Sequence, residues 1–134
     1  MVAETRLSPV QIEILNTVKA RLNQWPEGLG VGDAKIDRAI RYSATIMLPF
    51  LEQLIRSGLS AKTITRHTNN LAILLNEQMH LWRADESSTP KSVKETKDSL
   101  LSHCSENEGP YLDSPTQDSF NCTCGKFYRF CHQL

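Results

Sequence analysis

No stretch of this 134-residue sequence holds the roughly 18 consecutive apolar residues that a membrane span requires. The best candidate, from Ile40 to Leu54, is interrupted by Arg41, Pro49 and Glu52. The opening residues, MVAETRLSP, lack the apolar core of a secretory signal, so a cytoplasmic chain with no membrane partner is expected. Disulfides are not expected either. Four cysteines would make two disulfides in an exported protein, but without an export signal reduced thiols are the expectation, and Asn121-Cys122-Thr123 is not expected to carry a glycan. Net charge is absent, with 15 Lys and Arg against 15 Asp and Glu, which is unlike the lopsided composition of most dedicated nucleic-acid binders. There is no internal repeat.

What the sequence does have is an ordinary globular make-up, 40% hydrophobic and 22% charged, at a length that buries roughly two thirds of the unfolded surface in one domain spanning 1–134. Its charge is unevenly spread. Residues 34–83 carry a net +4, whereas residues 84–119 carry −5. The basic middle permits a nucleic-acid partner without demanding one.

Hydrophobic periodicity predicts an all-α, compact bundle of about five helices, with core helices over 8–82, an acidic and partly flexible connector over 84–118 and a closing helix over 119–134. The first helix has Ser8 as N-cap, Pro9 at its first position and Gln11 to complete a capping box. Its expected face is Ile12, Leu15, Val18, Leu22 and Trp25, and Pro26 is expected to stop it. The EGLGVG stretch after it lacks a preceding strand and a following Lys-Ser or Lys-Thr, so it reads as a connector and not as a phosphate cradle. Asp33 caps a second helix, in which Ile36, Ile40, Met47, Phe50, Leu51, Leu54 and Ile55 face the core and Pro49 is expected to kink or divide it. Gly58 supplies a left-handed turn, and Ser60 opens a third helix with the stripe Ile64, Thr68, Leu71, Leu75, Met79 and Trp82. In the connector, Thr89 and Pro90 are expected to start a short helix with Val93, Leu100, Leu101 and Cys104 on its apolar face and Gly109-Pro110 at its end. Phe120, Cys124, Phe127 and Cys131 mark the closing helix.

The segment GLSAKTITRH, from Gly58 to His67, offers the most chemistry. A glycine turn, a serine cap and then Lys62, Thr63, Arg66 and His67 place polar and basic groups at a helix N-terminus, where phosphates or base edges are met. Arg38 and Arg41 on the preceding helix are candidates to extend that surface, and Ser60 to join it. A simple helix-turn-helix fits poorly. The third helix exceeds twenty residues, and Leu54 stands where that motif prefers a small side chain.

Residues 48–79, LPFLEQLIRSGLSAKTITRHTNNLAILLNEQM, resemble the helix-pair signature FLxxLxxxGLSxxTIxxYxxxLxxFL of the SAM-like core-binding domain of phage integrases and other tyrosine recombinases. The resemblance covers about a quarter of the chain and implies a short helix joined to a long one in a domain that clamps duplex DNA. The catalytic Arg, His and Tyr domain of that family has no counterpart here, so recombination is not implied. GLSAKTITRHTNNL together with EGPYLDSPTQDSFNCTCGKFYRF also resembles a group of small helical bacterial proteins, which implies a bacterial or mobile-element setting and no activity.

His103, Cys104, Cys122, Cys124, Cys131 and His132 are numerous enough to ligate zinc. Cys122 and Cys124, however, point about 200° apart on a helix and converge only if that helix breaks near Gly125. Buried free thiols and no cofactor are the plainer expectation. Cys131-His132, as sequence neighbours, diverge and make no nucleophile and base pair. A non-enzymatic binding protein is therefore expected, engaging DNA or a DNA-bound protein through the start of the third helix. The alternative is a protein-interaction module, such as a mobile-element adaptor or an inhibitor of a host nucleoprotein complex.

Overall fold

The computed structural model describes residues 6–29, 32–106 and 114–133, with only the backbone of residues 29, 103, 105, 106 and 114. Its elements are α1 (Pro9–Leu29), α2 (Ala34–Arg56), α3 (Ala61–Ala84), a 3-10 turn (Glu86–Ser88), α4 (Val93–Glu106) and α5 (Ser114–His132), with no strand among the described residues. The fold is an all-α bundle around one shared core.

The first helix begins as expected. Ser8 Oγ accepts from the Gln11 N–H at 3.1 Å, and Gln11 Oε1 accepts from the Ser8 N–H at 2.8 Å. Gln11 Nε2 also donates to the Ile55 carbonyl at 2.9 Å, which ties the start of α1 to the end of α2. Leu15, Val18, Leu22 and Trp25 are buried, but Ile12 is 47% exposed. Two successive three-residue steps, 12 to 15 and 15 to 18, swing Ile12 about 120° off the line of Val18, and Gln11 takes the aligned place.

Pro26 does not stop α1, and Pro49 does not divide α2; both lie inside continuous helices. Each proline withholds one N–H, from the carbonyls of Leu22 and Thr45 respectively. Both of those residues line an open groove of about 600 Å³ between α1 and α2, where water can replace the lost donor.

α2 starts at Asp33, whose carboxylate accepts from the Lys35 and Ile36 N–H groups at 2.8 and 3.3 Å. It ends in a Schellman arrangement. Gly58 adopts φ +96°, its N–H donates to the Ile55 carbonyl at 3.0 Å, and the Leu59 N–H reaches back to the Leu54 carbonyl at 3.4 Å. Leu54 and Leu59 both pack against the core beside this turn. The turn sends α3 back along α2, so that Ile36 near the start of α2 shares a crevice with Trp82 near the end of α3.

α3 touches each of the other helices. This explains why its buried side chains exceed one stripe: Ile64, Thr68, Leu71, Leu75, Met79 and Trp82 line the expected face, while His67, Asn70, Leu74 and Gln78 are buried on another.

Within the acidic stretch residues 84–88 are exposed, and the expected short helix is α4. α4 packs on α2, α3 and α5 and buries Thr96, Leu100, Leu101 and Cys104. Its cap is Ser92 and not Thr89. Ser92 Oγ accepts from the Glu95 N–H at 3.1 Å and donates to Glu95 Oε2 at 3.4 Å. Thr89 is buried and ends the 3-10 turn, and Val93 is 42% exposed. The expected stop at Gly109-Pro110 lies outside the described residues. α5 buries Phe120, Cys124, Phe127 and Cys131 as its spacing predicts. Phe127 and Phe130 meet Phe50 of α2 with ring centroids 5.4 and 5.6 Å apart.

Candidate functional site

The structure divides the candidate binding residues into three places. Ser60, Lys62 and Arg66 lie exposed at the start of α3, with Thr63 partly buried. Ser60 Oγ accepts from the Thr63 N–H at 3.3 Å, and the two hydroxyls are 3.1 Å apart, so this pair caps the helix while facing solvent.

Arg38 and Arg41 do not extend this surface. They lie in the first third of α2, whose far end adjoins the start of α3. Eighteen helical residues separate Arg38 from Arg56, about 27 Å of rise. Arg38 shares an open cleft with Lys35, Lys91 and Glu86. Arg41 lines the groove between α1 and α2 with Lys19 and Glu27.

His67 is in the core. It is 1% exposed, and its Nδ1 lies 2.7 Å from Thr123 Oγ1 of α5. Asn70 Nδ2 donates to the same hydroxyl at 2.8 Å, and also to the Ser119 carbonyl and hydroxyl at 3.1 and 3.0 Å. Thr123 in turn donates to the Ser119 carbonyl at 3.3 Å. One proton assignment satisfies all of these contacts: His67 Nδ1 and Asn70 donate to the two lone pairs of Thr123, and Thr123 donates to Ser119. His67 Nε2 is then a buried acceptor without a partner. Protonating it would create a buried donor with nothing to bind. Burial, then the nearby Arg66 and Lys126 charges, accordingly lower the His67 pKa below its ordinary 6.5. With Nδ1 donating, the ring is not placed to take a proton from the Thr123 hydroxyl, which is 0% exposed.

These contacts reveal a neighbour that sequence reasoning missed. His67 pairs with Thr123 and Asn70 with Ser119, so α3 and α5 run antiparallel and the second half of α5 lies along the first half of α3. Lys126 reaches the vicinity of His67 from α5 as Arg66 does from α3. Neither Ala61–Asn76 nor Ser119–His132 contains an acidic residue, and Lys126 and Arg129 join Lys62 and Arg66 in the paired segments. One end of the helix pair is thus rich in cations.

The cysteines divide differently. Cys122 is exposed, whereas Cys104, Cys124 and Cys131 are buried. α5 continues through Gly125, so Cys122 and Cys124 stay on opposite faces. Among the described residues no three His, Cys, Asp or Glu side chains converge to hold a metal; the His103 side chain is outside that set. The neighbouring Cys124 thiol of α5, followed by burial, pushes the Cys104 thiol of α4 far up. Burial also raises Cys131, against a smaller opposing effect of Lys97.

Comparison with protein-family models, with curated proteins and with solved structures gives no match. No described helix is long and apolar enough to cross a membrane.

Proposed function

We propose that the chain is a non-catalytic binding protein that engages nucleic acid, DNA in the first instance, through the cationic end formed by α3 and α5. The observation that carries this reading is the antiparallel contact of α3 and α5, which sets the segment of Lys62 and Arg66 along that of Lys126 and Arg129, with no acidic residue in either. A cluster spread over two antiparallel helices can neutralise several phosphates of a backbone at once, and Ser60 and Thr63 at the helix start add neutral hydrogen-bonding groups. The integrase-like segment 48–79 contains the same helix start. Balanced net charge fits a binder of modest affinity whose cations are concentrated at one place.

The test is binding of a labelled duplex and a labelled single strand across a salt series. Affinity should fall as salt rises, and K62A/R66A should weaken it and reduce the logarithmic salt slope by about two, near one per lost phosphate contact. K126A should do the same on a smaller scale. Absence of salt-sensitive binding to either probe at low ionic strength rejects the proposal.

The alternative, a protein-interaction module such as an adaptor or inhibitor of a nucleoprotein complex, draws support from apolar side chains left on the surface, notably Val10 at 65% and Leu81 at 56% exposed. Its signature is a protein partner that co-purifies through nuclease treatment and high salt.

A further inference from the structure

A groove of about 250 Å³ runs between α1 and α3. Its apolar floor is made by Val10, Ile14 and Val18 on one side and by Ala61 and Ile64 on the other. Val10 is 65% exposed although it belongs to this floor. Glu13 and Arg21 also line the groove, with Thr17 between them. The three are spaced by four residues, so each lies one turn up and about 40° round α1 from the last, with the opposite charges about 12 Å apart along the axis.

This pattern is complementary to itself. A contact between identical copies related by a two-fold axis must present the same patch from both sides. If α1 lies antiparallel to its symmetry mate with the axis near Thr17, Glu13 of each copy faces Arg21 of the other, twice per contact. A parallel alignment would set like charges together. Arg21 Nη2 donates to Asn69 Oδ1 at 2.6 Å, which anchors the guanidinium over α3 and leaves further N–H groups of its five for a carboxylate. In this register Ile14 of each copy comes opposite Ala20 of the other, which shields it from water.

We propose that this groove is the face through which two copies of the chain associate, α1 against α1, with reciprocal Glu13 and Arg21 pairs fixing the register. The inference does not rest on nucleic-acid binding, because the residues that set the register, Glu13, Thr17 and Arg21, all belong to α1. Its consequence for that end is geometric. Ala61 and Thr65 line the groove on the same first turns of α3 that carry Lys62 and Arg66, so a dimer would present two cationic surfaces in symmetric positions.

The test is sedimentation equilibrium of the full chain over a wide concentration range. The expected result is reversible monomer and dimer. Glu13→Arg or Arg21→Glu alone should weaken the dimer by about tenfold or more, because each sets like charges face to face. The double reversal, Glu13→Arg with Arg21→Glu, should restore it. Thr17→Arg, at an exposed site on the axis, should abolish it. Circular dichroism should show unchanged helix content in each variant, which separates lost association from lost folding. A wild-type chain that stays monomeric throughout overturns the proposal. Single reversals without effect, or a double variant as weak as either single one, overturn it equally.

Discussion

The ring of His67 is fixed to α5 by a single hydroxyl, that of Thr123, 2.7 Å from its Nδ1. Asn70 shares this hydroxyl, so one threonine satisfies two polar side chains of α3 in the core. Thr123→Val keeps the shape and removes the oxygen, leaving His67 Nδ1 buried without its partner and Asn70 with Ser119 alone. We expect a loss of about 1–3 kcal/mol, read as a lower urea midpoint with an unchanged m-value. A neutral result would mean that the network does not hold α3 to α5.

Acid should loosen the same contact. The pKa of His67 is lowered in the folded chain by burial first and by Arg66 and Lys126 after it, so near and below its ordinary 6.5 the unfolded state binds more protons than the folded one. The associated stability is fully present above that value and is lost as pH falls toward the folded pKa. Urea unfolding compared at about pH 7.5 and about pH 5 should show the decline, and His67→Gln should remove the part of it that belongs to this group. Equal pH dependence in the variant would assign the effect elsewhere.

Thiol chemistry should separate Cys122 from the rest. It is exposed, whereas Cys104, Cys124 and Cys131 are buried, and the Cys104 and Cys131 thiols are raised, which depletes the reactive thiolate. A native chain treated with a thiol reagent near neutral pH should modify Cys122 quickly and the other three only after denaturant is added. Rapid native modification of Cys104 or Cys131 would contradict this packing.

Two glycines should respond to alanine with opposite sign. Gly58 has φ +96°, and a methyl group placed there would meet nothing within 4 Å, so Gly58→Ala should cost about 1 kcal/mol through backbone strain alone. Gly125 is helical, and a Cβ there would meet only the flexible end of Arg129, at 3.7 Å. Gly125→Ala should therefore add about 1 kcal/mol, since alanine loses less backbone entropy in a helix. Thermal unfolding of both variants settles the two signs.

The helices and most of their caps were readable from local pattern, because Ser8 with Gln11, Asp33, Gly58 and Ser60 act on backbone groups within a few residues of themselves. Pro26 misled because a lost hydrogen bond ends a helix only when nothing else holds it, and Trp25 beside it is buried; Phe50 beside Pro49 is buried in the same way, and α2 runs on through it. Ser92 with Glu95 was legible by the same rule as Ser8, but Thr89-Pro90 three residues earlier offers a competing cap and first-turn signal. His67 could not be placed from its neighbours. Its position beside Arg66 suggests solvent, and its partner stands 56 residues away. The contribution of Lys126 to the cationic end was hidden for the same reason: it depends on how α5 lies against α3, which no local spacing encodes.

The contacts of α3 with every other helix bear on the thermodynamics of whatever its first turn meets. Backbone that is already immobilised has little left to lose, so a ligand reaching Ser60, Lys62 and Arg66 would restrict side-chain rotamers and not chain conformation. Association at such a site should leave amide hydrogen exchange along α3 nearly unchanged and give a small heat-capacity change. These are the marks of docking onto a finished surface, as opposed to folding around a partner.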